Sequence, residues 1–441
     1  MKTNLIIIGS GPGGYHTAVY AAKHGMSVVV IEKSHAGGTC LNRGCIPTKA
    51  FCHEAEVIET VKAYTKAQPD IDFAAIKSRK QGIVEQLRGS VEALMAMPGI
   101  TFVRGEARFK DSKTVCVGTE EYTADHIIIA TGSHSRMPNV VGLDNDGVVT
   151  STELLDIEAV PKRLCIIGAG VIGMEFASVF RSFGSEVTVL EYLKECLPML
   201  SSDIAKRLRK SLEQRGISFN MQAAVKSVEK TDTGLLVNCE RKGKAQQVEA
   251  DVVLVATGRG ANVEGLGLDA AGVEYDAKGI KVDDDMQTSV PGIYAVGDVN
   301  GRMMLAHAAY AQGMKCVDKI IGKEDKIQLG IMPSAIFTNP EAACVGLTED
   351  QCDAQGIEYK SLKSFYRANG KALAVDATDG MVKLLTDASG KIIGCHVYGA
   401  HASDLVQEVT AIMNYGGTVD DLRDIIHTHP TLEEILQAAA G

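Results

Sequence analysis

At 441 residues the chain is long enough for two to four domains with sizeable buried cores. Its net charge of −10, with no basic cluster, argues against a nucleic-acid partner, and the absence of a run of about eighteen apolar residues argues against a membrane span. Eleven cysteines, an odd number scattered over a long chain, suit a reducing, cytoplasmic setting with one special pair better than a secreted disulfide framework.

The chain opens on MKTNLIIIGSGPGG, whose apolar run is too short for a secretion signal. Residues 3 to 8 form a β-prone run leading into Gly9, Gly11 and Gly14, a GxGxxG pattern; a helix is expected from about Gly13 to His24, and SVVVIE at 27 to 32 as a second strand. The glycines permit a tight turn and close approach of a pyrophosphate to the helix start, and Glu32 is placed to accept from a ribose hydroxyl. Glycines at a helix start can also serve only to relieve crowding. The flanking strands and the acid 23 residues on favour the dinucleotide reading.

GGTCLNRGC follows, with four residues separating Cys40 from Cys45 between glycines. Three readings fit the pair: a redox disulfide, a zinc site completed by Cys52 and His53, or two unrelated thiols. Zinc is disfavoured because a second cysteine pair at matching spacing is absent. Five residues of regular helix rise roughly 7.5 Å, beyond the roughly 7 Å limit for bridged Cα atoms, so a disulfide here needs a backbone break. Gly44 allows one, and Pro47 suits the first turn of a helix beginning near Cys45. A thiolate at that helix start, with Lys49 nearby, gives Cys45 the better prospect of a depressed pKa.

Residues 51 to 98 read as helices and residues 100 to 129 as strands ending in DHIIIATGS, with a sharp turn expected at Gly132. The opening pattern then recurs in RLCIIGAGVIGMEFASVFRSFGSEVTVLE, with Gly168, Gly170 and Gly173, and with Glu191 again 23 residues on. Two dinucleotide sites follow. Tyr192 and Leu193 succeed Glu191 with no arginine nearby, which favours NAD over NADP at the second. DVVLVATGR closes this repeat with a turn at Gly258, and VPGIYAVGD ends a buried strand at Gly297 and Asp298. Asp298 is placed either to bind a cofactor hydroxyl or to cap a helix.

From about Gly330 the chain changes to strands such as MVKLLTD and IIGCHVYG, then helices, an α+β pattern. Its last helix follows HTHPTLEE. His427 and His429 are both candidates for an acid–base role, with capping or simple surface exposure as the ordinary alternative. His429 is favoured because Pro430 fixes the chain beside it and Glu434 is near enough to orient an imidazole. As a first-turn helix acid, Glu434 would also simply suit the helix dipole.

Taken in order, GSGPGG, Glu32, GGTCLNRGCIPTK, ATGS, GAGVIGME, ATGR, PGIYAVGD, LAH and HPTLEE resemble the flavoprotein disulfide reductases nearly end to end. The resemblance is greatest to the branch that oxidises dihydrolipoamide. It implies an α/β chain with two Rossmann-like dinucleotide-binding domains, the NAD domain inserted in the FAD domain, and a C-terminal α+β interface domain through which two chains form a homodimer. The implied boundaries are 1–145 and 266–329 for the FAD portion and central domain, 146–265 for NAD, and 330–441 for the interface. Cys40 corresponds to the thiol facing the substrate and Cys45 to the thiol against the flavin. Lys49 and Glu175 match a pair beside the flavin, Asp298 matches an FAD-ribityl ligand, and Thr131, Gly132, Gly258 and Ala306 fall in the ATGS, ATGR and LAH cofactor motifs. His429 with Glu434 matches an acid–base pair serving the opposite chain. No metal is implied.

Two departures stand out: GAN follows ATGR where a proline is usual, and Glu433 replaces a small hydroxyl residue. Glutathione reductase fits poorly because Glu191 opposes NADP, and mercuric reductase because LQAAAG carries no vicinal cysteines. The lipoyl group is expected on a partner, from a 2-oxoacid dehydrogenase complex or the glycine cleavage system.

Overall fold

The structure is a computed structural model that describes residues 1–441. Its packing divides the chain into two units, the first comprising Met1–Ala50, Ala75–Arg136 and Gly258–Leu329, the second Phe51–Ala74, Met137–Thr257 and Gly330–Gly441. No helix is long and apolar enough to cross a membrane.

The first unit is built on a seven-stranded sheet. Lys2–Ile8 lies between Val28–Glu32 and Glu120–Ile129, with Ile100–Arg104 beyond Val28–Glu32 and Ile293–Ala295 alongside Glu120–Ile129, all parallel. Such strands are covered on both faces, which explains their unbroken apolar runs. Leu5 and Ile7 face one core with Val28, Val30 and Ile128, while Ile6 and Ile8 face the other with Val29, Ile31 and Ile127. The helix Pro12–Lys23 starts with proline near its first position, where the missing amide donor costs nothing.

The second unit repeats the device. Ser218–Met221, Glu186–Glu191, Arg163–Ile167, Val252–Val255 and Val148–Val149 form a parallel sheet in that order. The helix Val171–Phe183 follows the second glycine turn, and ten of its residues are buried. A three-stranded antiparallel sheet, Ala223–Thr231, Gly234–Arg241 and Lys244–Ala250, adjoins it. The C-terminal segment is a five-stranded antiparallel sheet with the helices Ala402–Asn414 and Glu434–Ala440 sharing its core. Fully buried Lys383 in this sheet pairs with Asp203 and Glu349, which compensates an otherwise prohibitive charge.

Candidate active site

Each nucleotide turn separates glycines needed by the fold from one the fold does not need. A Cβ on Gly9 would lie 2.4 Å from the Ala130 carbonyl oxygen, and one on Gly14 would lie 1.9 Å from that of Gly9. Gly11 has only the Gly38 Cα at 3.8 Å. In the second turn, Gly168 and Gly173 are equally forced, with clashes at 2.5 and 2.0 Å, whereas a Cβ on Gly170 would meet nothing within 4 Å. The middle glycine keeps the turn bare on the side from which a pyrophosphate approaches the helix amides. The residues present therefore fit dinucleotides at both turns.

The two acids brace these turns from the second strand. Glu32 accepts from the Ser10 amide at 2.8 Å, the Ser10 hydroxyl at 2.9 Å and the Ser34 amide at 2.8 Å. Glu191 accepts from the Ala169 amide at 2.6 Å and the Leu193 amide at 2.7 Å. A carboxylate offers about four lone-pair sites, so each retains capacity for a ribose hydroxyl. This bracing role was not visible in the spacing alone.

Cys40 and Cys45 form a disulfide with Cα atoms 4.6 Å apart. The backbone break expected at Gly44 is present: Gly38–Arg43 and Cys45–Thr65 are separate helices, and Gly44 between them adopts φ −147°, ψ −112°. A Cβ there would press to 3.0 Å on the Thr39 carbonyl oxygen. Thr48 donates its hydroxyl to the Gly44 carbonyl at 2.7 Å and so anchors the first turn below Cys45. Lys49 lies one turn along the same helix.

Asn42, which no motif of the sequence singles out, braces the segment before the disulfide. Its amide donates to the carbonyls of Ala36 and Gly38, both at 2.9 Å, and its oxygen accepts from Arg88 at 2.7 Å, which fixes the short helix carrying Cys40. Because Cys40 and Cys45 are bonded to each other and Cys52 donates to the Phe337 carbonyl at 3.3 Å, the four-ligand zinc arrangement does not occur. Burial pushes the thiols of Cys165, Cys196, Cys316, Cys344 and Cys395 upward, so they are poor nucleophiles beside the bridged pair.

Elsewhere in the first unit, Thr131 donates its hydroxyl to the Asn262 carbonyl at 2.8 Å, and Gly132 turns with φ +70°. Gly258 likewise turns with φ +116°. Asp298 sits in the single turn Gly297–Asn300, accepts from the Ser133 hydroxyl and lies 3.8 Å from Arg259. Ala306 begins the helix Ala306–Ile321.

In the second unit, buried Glu175 accepts from the Phe337 amide at 3.0 Å. The two candidate histidines prove different. His427 is 5% exposed in its side chain, with Nε2 against Glu408 at 2.9 Å and Nδ1 against the Ile425 carbonyl at 3.0 Å, so both nitrogens are engaged. His429 is 79% exposed, with Nδ1 against Glu434 at 2.8 Å. The other Glu434 oxygen accepts from the Thr431 amide at 2.9 Å; that bond first, and His429 second, hold its carboxyl below the usual range.

A disulfide beside one of two nucleotide turns defines a flavin- and pyridine-nucleotide-dependent disulfide oxidoreductase. Residues 3–313 match the pyridine nucleotide-disulphide oxidoreductase family and residues 332–440 match its dimerisation domain; the chain belongs to this family. Among its relatives are the mitochondrial dihydrolipoyl dehydrogenase of Pisum sativum, 37% identical over 100% of this chain and 91% of that one, and the dihydrolipoyl dehydrogenase of Thermus scotoductus, 39% identical over 100% and 97%. The HOCl-induced flavoprotein disulfide reductase RclA from Escherichia coli has the same fold, with a TM-score of 0.90 at 30% identity over 99% of both chains.

Proposed function

We propose that the protein oxidises the dihydrolipoyl group of a carrier protein to its cyclic disulfide and delivers the two electrons to NAD. The Cys40–Cys45 disulfide, in a chain that aligns along its whole length with dihydrolipoyl dehydrogenases, carries this reading.

In the proposed homodimer, His429 of the partner subunit faces the disulfide. The match to a dimerisation domain supports this arrangement, as does the exposure of His429, Tyr415 and Ile426. With Nδ1–H directed at Glu434, the Nε2 lone pair is the free base. It takes a proton from one substrate thiol, and the resulting thiolate attacks Cys40 Sγ, breaking the bond to Cys45 and leaving Cys45 as thiolate. The imidazolium then releases this first proton to solvent and takes the proton of the second substrate thiol, whose thiolate attacks the substrate sulfur of the mixed disulfide. Cys40 departs with the electron pair, next to the imidazolium that holds a proton. Lipoyl disulfide is released and the cysteine pair carries two electrons.

FAD, when bound, carries these two electrons from the dithiol to the nicotinamide. Gly9, Gly11, Gly14, Glu32, Lys49, Thr131, Gly132, Asp298 and Ala306 would hold it, and Gly168, Gly170, Gly173, Glu191 and Gly258 would hold NAD, with Glu175 beside the flavin. Glu191 favours NAD because a 2'-phosphate would meet a carboxylate there. Nine unbridged cysteines suit a reducing, cytoplasmic location.

The test is a substrate panel of lipoamide, glutathione disulfide and other small disulfides with NADH and NADPH. Lipoamide with NADH is expected to be fastest; no turnover of lipoamide with NADH would overturn the proposal.

A further inference from the structure

The chain leaves the first unit after Arg136 and re-enters it at Gly258. The segments just inside these two crossings are stitched together. Ser133–Ser135 pairs antiparallel with Arg259–Ala261. Asn262 closes the junction: its amide donates to the Gly132 carbonyl at 2.9 Å, its side-chain nitrogen donates to the Thr131 carbonyl at 2.8 Å, and its side-chain oxygen lies 2.8 Å from His134 Nδ1. This is the stretch in which GAN replaces the usual proline, and an asparagine-centred lock fixes the turn.

The lock ends on Asp298. Arg259 donates from Nε to the Ser133 hydroxyl and from Nη2 to the Ser133 carbonyl, both at 2.7 Å, and the Ser133 hydroxyl bonds Asp298 Oδ2. The direction of each bond follows from valence. A guanidinium only donates, so it occupies a hydroxyl lone pair, and the single hydroxyl proton is left for the carboxylate. Arg259 and Asp298 side chains are only 18% and 23% exposed, so water competes weakly with this chain of bonds. Ser133 itself is 6% exposed. Because the contact is through Oδ2, Asp298 keeps Oδ1 as an acceptor.

We propose that Ser133 is a positioning residue for FAD: the relay from Arg259 through Ser133 orients the Asp298 carboxylate so that its other oxygen accepts from a ribityl hydroxyl. Asn262 holds the two strands in the register that the relay needs. The inference rests on the reading of Asp298 as an FAD ligand.

FAD release from the purified holoenzyme, followed by flavin fluorescence on dilution without substrates, tests it through a double-mutant cycle. Ser133→Ala is expected to weaken FAD binding about tenfold. In an Asp298→Ala background the same change is expected to add nothing, because the serine acts through the aspartate. Equal weakening in both backgrounds, or no weakening by Ser133→Ala where Asp298→Ala weakens binding, would overturn the relay alone. Unchanged affinity in Asp298→Ala would overturn the ligand reading and the relay with it. If Ser133→Ala does not fold, Ser133→Cys, of similar size but a weak donor, replaces it with the same expectations.

Discussion

His429 and Glu434 are joined by a 2.8 Å hydrogen bond between Nδ1 and a carboxylate whose second oxygen is tied to the Thr431 amide. The carboxylate is thus fixed at two points and in turn fixes the imidazole's tautomer and orientation. His427, two residues earlier, has both ring nitrogens engaged and carries no free base.

Replacing His429 with glutamine removes the proposed base while leaving the residues proposed to hold the flavin and the nicotinamide unchanged. Dihydrolipoamide oxidation is expected to fall by about a hundredfold or more. NADH oxidation by an artificial acceptor, which bypasses the thiols, should change little. Equal loss of both activities would contradict the assigned role.

With Cys40 proposed to meet the substrate and Cys45 the flavin, the two serine variants should share the loss of turnover but differ in colour. Cys40→Ser and Cys45→Ser both abolish lipoamide turnover while retaining FAD. Cys40→Ser leaves Cys45 as a thiolate against the flavin and is expected to show long-wavelength absorbance at rest; Cys45→Ser is not. The reverse pattern would exchange the roles.

Glu191 braces the second glycine turn, and in the proposed NAD site its carboxylate would oppose a phosphorylated ribose. Glu191→Ala is expected to raise KM for NAD about tenfold or more and to reduce the preference for NAD over NADP. Steady-state kinetics with both nucleotides at saturating dihydrolipoamide measures it. An unchanged preference would remove Glu191 from specificity.

Fully buried His396 donates Nε2–H to the Leu347 carbonyl at 2.9 Å and accepts the Ser201 amide at Nδ1 at 3.3 Å. Burial pushes its pKa down to about 4 from an ordinary 6.5. The unfolded chain therefore binds this proton first as pH falls. The stability contribution is complete above about pH 6.5 and is lost progressively towards pH 4. At pH 5 the loss amounts to about 2 kcal/mol. His396→Gln, which can keep both bonds, should show a smaller fall in thermal midpoint between pH 7 and pH 5 than the unsubstituted protein; an equal fall would assign the pH sensitivity elsewhere.

Much of the site was legible because its motifs are local. The glycine turns, their second-strand acids, the Gly44 break and the His429–Glu434 spacing each lie within one or two adjacent elements, where periodicity and turn chemistry act. The Ser133–Asp298 and Ser133–Arg259 bonds were not legible: they join residues 165 and 126 positions apart. Nothing in either segment encodes the other. The same holds for the pairing of Lys383 with Asp203, 180 residues away, which lets a lysine inside MVKLLTD be fully buried. Asn42 is closer to its partners, yet its side chain bonds backbone carbonyls, which every residue type supplies.

The passage of two electrons from a substrate dithiol through Cys40–Cys45 to the flavin is tested most directly by an anaerobic titration of the enzyme with dihydrolipoamide, followed by absorbance. Two electrons per subunit should produce long-wavelength absorbance from the Cys45 thiolate against oxidised flavin, and NAD should then reverse it. Flavin bleaching without that absorbance, or no spectral response to dihydrolipoamide, would contradict it.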